Sequence, residues 1–357
     1  MQAVILAGGL GTRLRPLTET TPKPLLPLLN KPLVLHIIDA LPKNIKEVIL
    51  AVNYKKELLE EYFQAHDVGR DIKVISEPVP LGTGGAIKNI EKYVNDSFVA
   101  FNGDAISSIN VKDIIEFHKT KNGKDIIKYH KKKKCIGTIA LWKVEDVSHF
   151  GVVELKNYKI KSFKEKPKPN ESPSNLINAG VYVLETEIFD YIEPNKTVSI
   201  EKEVFPKIID KGLYGFSFKG YWIDVGRPET YLEAQRILLD NKRNKNINKK
   251  YINKKFKSVL MGKNCQIPDK AGIGKYVCIG DNVSMGEDVK IKNSAIMNGT
   301  KIGNNATITD SIIGFSCVLK ENAVIKSGCV LGDGCVVEKD VELKSNTNVQ
   351  PKERVCG

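Results

Sequence analysis

From residue 267 the chain repeats itself. An aliphatic side chain recurs every six positions: Ile267, Ile273, Ile279, Met285 and Ile291, then a five-residue step to Ile296. The series continues through Ile302 and Ile308, takes a second five-residue step to Ile313, and runs on through Leu319, Ile325, Leu331, Val337, Leu343 and Val349. Two residues before most of these stands a small or β-branched residue, such as Cys265, Val283, Ala306, Cys317 or Cys335, and glycine often follows the aliphatic one, as at Gly280 and Gly332. Neither the helical period of about 3.6 nor the strand period of 2 accounts for this. A hexapeptide period fits a parallel β-helix, each unit forming one face of a triangular coil and three units a turn, so roughly five coils are expected.

The first 240 residues have another texture. Short apolar runs at 3–6, 47–52 and 98–101 read as buried strands, separated by helical stretches at 32–41, 55–65 and 86–94. Strands are also expected at 138–144, 151–155, 177–184 and 213–219. This alternation predicts an α/β fold, a Rossmann-like and mostly parallel sheet with helices on both faces. Residues 241–257 read as a basic, low-complexity linker, so the expected division is 1–240, 241–257 and a β-helix at 258–357.

The 357 residues carry a formal net charge of +13, which invites an anionic partner. The charge is local, because 128–134 holds +5 and 240–257 holds +7. Few aromatics interleave these runs, so solvated charge, not nucleic-acid binding, is expected. No apolar run approaches the roughly 18 residues of a membrane span, and the N-terminus lacks the basic start of a signal peptide. The seven cysteines form no Cys-x-x-Cys pair, and four of them occupy the small repeat position, where Cys acts as a compact hydrophobe. A reduced, cytoplasmic protein without membrane partner is expected.

Chemistry concentrates in the strand-to-loop segment AGGLGTRLRPLT at 7–18 and its continuation TPKP at 21–24. Gly8, Gly9 and Gly11 let backbone approach a ligand closely, and successive N–H groups can face phosphate oxygens. Arg13 and Lys23 add a planar fork and a point charge. The dinucleotide pattern fails at Leu14, and the P-loop pattern fits neither this loop nor 82–88.

Further segments follow in order: LGTGGA at 81–86, NGD at 102–104, FGVV at 150–153, FKEKP at 163–167, INAG at 177–180 and GYWIDVG at 220–226. Together with the glycine-rich loop they resemble the motifs of the sugar-1-phosphate nucleotidyltransferases over nearly the whole chain. Within that family the chain looks most like the mannose-1-phosphate guanylyltransferases, through 81–86 and SIEKEVFP at 199–206. Gly84-Gly85 stands where that branch has Ala-Gly.

The resemblance implies attack of a sugar-1-phosphate on the α-phosphorus of a nucleoside triphosphate, with GTP and mannose-1-phosphate the expected pair. It implies a left-handed β-helix. It also implies Arg13, Lys23, Asp104 and Asp224 as catalytic residues, with Asp104 and Asp224 holding Mg²⁺. Leu6, Ala7, Gly8, Gly9, Gly11, Thr12, Arg13, Lys23, Gly82 and Thr83 would bind the nucleotide. Gly151, Glu165, Lys166 and Asn178 would bind the sugar phosphate. The nucleophile is a phosphate already ionised near neutrality, so no histidine base is required. A homo-oligomer formed through the β-helix is expected. The alternatives are glucose-1-phosphate thymidylyl or uridylyl transfer, and a non-catalytic subunit that binds the nucleotide sugar. Acyl transfer is disfavoured because residues 258–357 contain no histidine.

Overall fold

The computed structural model describes residues 1–121, 135–241 and 258–357. The basic run 128–134 and most of the linker therefore lie outside the described residues. The chain packs into two compact units, one of 1–9 and 36–222, the other of 10–35 and 223–357.

The first unit is built on a nine-stranded sheet: β1 (Gln2–Leu6), β2 (Glu47–Val52), β3 (Asp71–Ser76), β4 (Phe98–Asn102), β5 (Gly137–Lys143), β6 (Gly151–Lys156), β7 (Lys159–Glu165), β8 (Leu176–Leu184) and β9 (Leu213–Ser217). Their spatial order is β3-β2-β1-β4-β8-β5-β9-β7-β6. β3, β2, β1 and β4 run parallel. β8 enters antiparallel to β4. β5 and β9 form a further parallel pair beyond β8, and β6 to β8 lie antiparallel to their neighbours. Val4, Ile49, Phe98, Tyr182 and Phe205 are fully buried in the core of this unit. Continuous apolar runs such as EVILAV follow from burial on both sheet faces.

The second unit holds the β-helix. Three parallel sheets of six, five and five strands form its faces. Ile273 stacks on Ile291, an 18-residue coil, whereas Ile279 stacks on Ile296 and Ile291 on Ile308, 17-residue coils. Each five-residue step thus shortens a coil by one residue while keeping the aliphatics in register. The small position does more than fill a corner. Cys317 Sγ donates to the Gly332 carbonyl (3.2 Å), Cys335 Sγ to Gln350 (2.9 Å) and Ser311 Oγ to Lys326 (2.9 Å), each on the following coil. All seven cysteines are free thiols.

Residues 10–35 belong to this unit. They carry a hairpin, Pro27–Leu28 against Lys31–Pro32, whose turn residues Leu29 and Asn30 are both left-handed. The helix Pro228–Asp240 packs beside it, with Tyr231 Oη donating to the Pro27 carbonyl and Gln235 Nε2 to Tyr276 O at 2.9 Å. Among the described residues no helix is long and apolar enough to cross a membrane.

Candidate active site

The residues singled out in the sequence divide between the two units. Leu6, Ala7, Gly8, Gly9, Gly82, Thr83, Asp104, Gly151, Glu165, Lys166 and Asn178 lie in the first, and Gly11, Thr12, Arg13, Lys23 and Asp224 in the second.

In the first unit the glycine loop leaves the end of β1. Ala7 N–H donates to Ala51 O (2.8 Å), and Gly103 N–H to Leu6 O (3.0 Å), so the NGD turn lies against the loop's root. Asp104 is partly exposed in that turn. A Cβ on Gly8 would lie 2.8 Å from Glu77 Oε1, whereas one on Gly9 would meet nothing within 4 Å. Glu77, at the end of β3, is only 9% exposed. Its Oε2 accepts from Leu81 N–H at 2.9 Å. Burial raises its pKa above the usual carboxylate range, partly offset by that hydrogen bond.

Residues 82–89 form a helix, so the LGTGG segment is its first turn. The Gly84 and Gly85 amides both donate to Val198 O. A Cβ at Gly84 would lie 2.9 Å from Val198 Cγ1 and 3.1 Å from Ile200 N, which gives the Gly-Gly departure a steric reason. Thr83 Oγ1 donates to Glu201 Oε2 (2.6 Å) and accepts from Ile200 N–H (3.0 Å). The 199–206 motif is thus fastened to the glycine-rich helix.

A second group gathers where β7 meets β6. Glu165 pairs with Gly151, and a Cβ there would lie 2.7 Å from Glu165 Oε2. Lys166 is left-handed, with its amide on Phe150 O at 2.9 Å. The Glu165 pKa is raised by burial first and then by the neighbouring Glu201 charge, against the opposing charges of Lys166 and Lys202. Asn178 sits at a bulge in β8, its Nδ2 donating to Tyr182 Oη (2.9 Å) and its Oδ1 accepting from Gly180 N–H (3.0 Å). Asn102 Oδ1 is buried and has no hydrogen-bond partner among the described residues. A buried acceptor left over beside Gly180, whose Cβ would be 2.9 Å from Asn102, suits a hydroxyl-bearing ligand.

In the second unit Gly11 is left-handed at φ +64°, and a Cβ there would meet Thr18 Cγ2 at 2.7 Å and Lys23 Cβ at 3.3 Å. Thr18 Oγ1 donates to Gly11 O at 2.9 Å. Thr12 and Arg13 occupy the short 3₁₀ turn that follows, and Lys23 is 8% exposed at the start of another. Arg13 Nη2 lies 3.8 Å from Asp224 Oδ2, with the side chains 54% and 31% exposed. An ion pair this long and this open contributes little, so Arg13 is held only weakly by it. Gly226 lets backbone pass beneath the pair, since a Cβ would lie 2.7 Å from Arg13 Nη2.

One constellation imitates a nucleophilic relay. Cys135 Sγ lies 3.5 Å from His118 Nδ1, and His118 Nε2 lies 3.0 Å from Glu185 Oε1. All three lie in the protein interior or at its margin, and burial pushes the Cys135 thiol up to about 12. A thiol so placed is a structural group, not a nucleophile.

Sequence reasoning assigned no role to Glu77, Asn102, Tyr182 or Glu201. Glu201 stood within a quoted motif, and Glu77 precedes Pro78 four residues before the LGTGG segment.

The model of the family "Nucleotidyl transferase" matches residues 2–241. The chain belongs to the nucleotidyl transferase family. A second model, "GMPPB C-terminal domain", matches residues 256–355. The catalytic subunit beta of mannose-1-phosphate guanylyltransferase from Dictyostelium discoideum is 39% identical over 251 residues, 69% of this chain and 66% of that protein. The chain thus spans just under two thirds of that relative's length. A putative glucose-1-phosphate thymidylyltransferase from Bacillus anthracis, solved with sucrose, superposes with TM-score 0.57 at 25% identity, covering 66% of this chain and 93% of that one. HddC from Yersinia pseudotuberculosis, solved with GMP-PN, does so with TM-score 0.52 at 30% identity, covering 65% and 97%.

Proposed function

We propose that this protein transfers a guanylyl group from GTP to mannose-1-phosphate, releasing pyrophosphate. The observation that carries the base is Glu77. A carboxylate only accepts hydrogen bonds. Guanine presents two adjacent donors, N1–H and the 2-amino group, whereas uracil and thymine flank one donor with acceptors. Glu77 Oε1 faces Gly8, and the nucleotide-binding loop departs there. The names of the similar guanylyltransferases support the same assignment.

The sugar-1-phosphate oxygen attacks in line at the α-phosphorus, and the pyrophosphate leaves. Both reactants are polyanions, so the protein's work is positioning and charge neutralisation. Gly8, Gly9 and Gly11 offer backbone N–H groups, Arg13 takes charge on the leaving pyrophosphate, and Lys23 sits on the triphosphate. Lys166 holds the incoming phosphate. Glu165, Asn178 and the backbone at Gly151 accept or donate to sugar hydroxyls. Asp104 and Asp224 are each a candidate carboxylate for Mg²⁺, which takes one or two carboxylates and draws its remaining oxygens from phosphate and water. When bound, the ion would neutralise phosphate charge. The reading places the protein in a reducing, cytoplasmic setting, and self-assembly through the β-helix belongs to it, with light scattering as its measure.

A coupled pyrophosphate-release assay over GTP, dTTP, UTP and ATP with mannose- and glucose-1-phosphate tests the whole. GTP with mannose-1-phosphate is expected to give the highest kcat/KM, and Asp104→Ala to abolish it. Turnover with dTTP or UTP in preference overturns the base, and no turnover with any pair favours the non-catalytic alternative.

A further inference from the structure

The segment 10–35 carries Gly11, Arg13 and Lys23, and it is fastened to the β-helix by side chains that neither family resemblance nor periodicity singled out. Thr20 Oγ1 donates to Asp333 Oδ2 at 2.6 Å. The other carboxylate oxygen is occupied, because Asp333 Oδ1 accepts from the Phe315 amide of the preceding coil at 2.9 Å. The coil therefore orients the carboxylate, and the carboxylate receives Thr20. A second tie lies at the hairpin tip. Asn30 Nδ2 donates to the Ile279 carbonyl at 2.6 Å, and Cys278 Sγ donates back to Asn30 Oδ1 at 3.1 Å. A third is the Gln350 amide, whose nitrogen, in the orientation that satisfies both groups, lies 3.0 Å from Glu19 Oε2.

The ties at Thr20 and Asn30 flank Lys23, and Arg13 lies upstream of both. Thr20 ends the short helix 17–20, which lies between Arg13 and Lys23. In that helix Thr18 holds the Gly11 carbonyl at 2.9 Å. The line from coil to phosphate loop is thus short: a hydrogen bond from Thr20 to Asp333, two residues of helix back to Thr18, then a hydrogen bond to Gly11 and the Arg13 turn.

We propose that the β-helix is the positioning scaffold of the nucleotide loop, with Asp333–Thr20 and Asn30–Ile279 as the contacts that hold Arg13 and Lys23 in register for the triphosphate. The proposal rests on the nucleotidyl-transfer reading, but not on which base is used. Thr20, Asn30 and Asp333 are positioning residues; none is required to touch substrate. Their loss lowers nucleotide binding and leaves sugar-phosphate binding largely alone.

The test uses the full chain and whichever nucleotide the wild type turns over, so a wrong base in the proposed function leaves it intact. Thr20→Val removes the hydroxyl at constant shape, and Asn30→Gly keeps the left-handed turn while removing the amide. The double variant is expected to raise KM for the nucleotide about tenfold, the loss of about one charge-assisted hydrogen bond. KM for the sugar-1-phosphate should stay within about twofold. Thr20→Ser should restore the wild-type value, because it returns the donor. An unchanged nucleotide KM overturns the proposal, as does an equal rise in both KM values, which marks general loosening. Should the double variant fail to fold, Thr20→Val against Thr20→Ser decides by the same split.

Discussion

Glu77 and Glu165 both hold their protons more tightly than an ordinary carboxylate, and the causes differ. At Glu77 burial acts alone against one backbone hydrogen bond. At Glu165 burial is joined by the Glu201 charge. Each is assigned here as an acceptor, so each works ionised. A raised pKa means that competence is present above it and fades as pH falls through it, starting above the usual value of about 4.3. The acid limb of kcat/KM for the sugar-1-phosphate should therefore shift to lower pH in Glu201→Gln, because that change removes the like charge beside Glu165. The substrate's own phosphate ionisation cannot produce such a shift. A limb that stays put would remove Glu165 from the sugar site. Glu77→Gln places an amide N–H where guanine also presents donors, so preference for GTP over UTP should fall at least about tenfold. Competition kinetics with both nucleotides reads this directly. Glu77 was hidden in the sequence because a lone acid before a proline has no pattern of its own. Its meaning comes from Gly8, 69 positions away in the chain, where a Cβ would lie 2.8 Å from Glu77 Oε1.

Elements were legible in proportion to how strongly burial imposes a period. The repeat from Ile267 to Val349 showed itself, including the two five-residue steps, because every coil repeats the same packing problem; the strands Val259–Met261 and Arg354–Val355 lie outside that series. Its glycines have a definite job that the repeat alone did not explain. A Cβ at Gly332 would lie 2.7 Å from the Pro351 backbone nitrogen, whereas one at Gly272 makes only an ordinary contact of 3.5 Å with Lys290. Gly332→Ala should thus destabilise the protein by about 1–3 kcal/mol, the usual range for forced overpacking. Gly272→Ala should be neutral or stabilise by up to about 1 kcal/mol, through reduced freedom of the unfolded chain. Chemical denaturation of the pair checks this, and equal losses would show that close coil approach is not what selects glycine. Two strands of the nine-stranded sheet escaped the sequence reading, β3 and β7, with sequences DIKVIS and KIKSFKE. β7 has few buried side chains and β3 none, so neither carries the long apolar run that marks β1, β2 and β4. The helix expected from residue 86 begins at Gly82; glycine opposes helix formation, and the place of 82–85 in a helical turn is set by the Val198 carbonyl, a tertiary contact.

On the scale of the whole chain, the net charge is a poor guide to function, since the runs that hold nearly all of it are separate in sequence from every residue of the candidate site. The compact units carry more information. A boundary drawn at residue 240 follows the change in texture, yet residues 10–35 pack in the same unit as 223–357. Composition could not show this, because the contacts are made by Thr20, Asn30, Tyr231 and Gln235, ordinary polar residues without periodicity. A chain ended at Asn241 retains every strand of the nine-stranded sheet but loses Asp333, Ile279 and Tyr276, the groups that receive Thr20, Asn30 and Gln235. The sheet should therefore fold, giving native-like far-ultraviolet circular dichroism, while the segment bearing Arg13 and Lys23 loses its support. In the full chain, nucleotide at a hundred times Kd with Mg²⁺ should stabilise by about 2.7 kcal/mol, a thermal shift of a few degrees. In the shortened chain that shift should vanish, and limited proteolysis should open first within 10–35. A shortened chain with full nucleotide shift and wild-type turnover would mean that the first 240 residues are self-sufficient, and that the β-helix serves assembly alone.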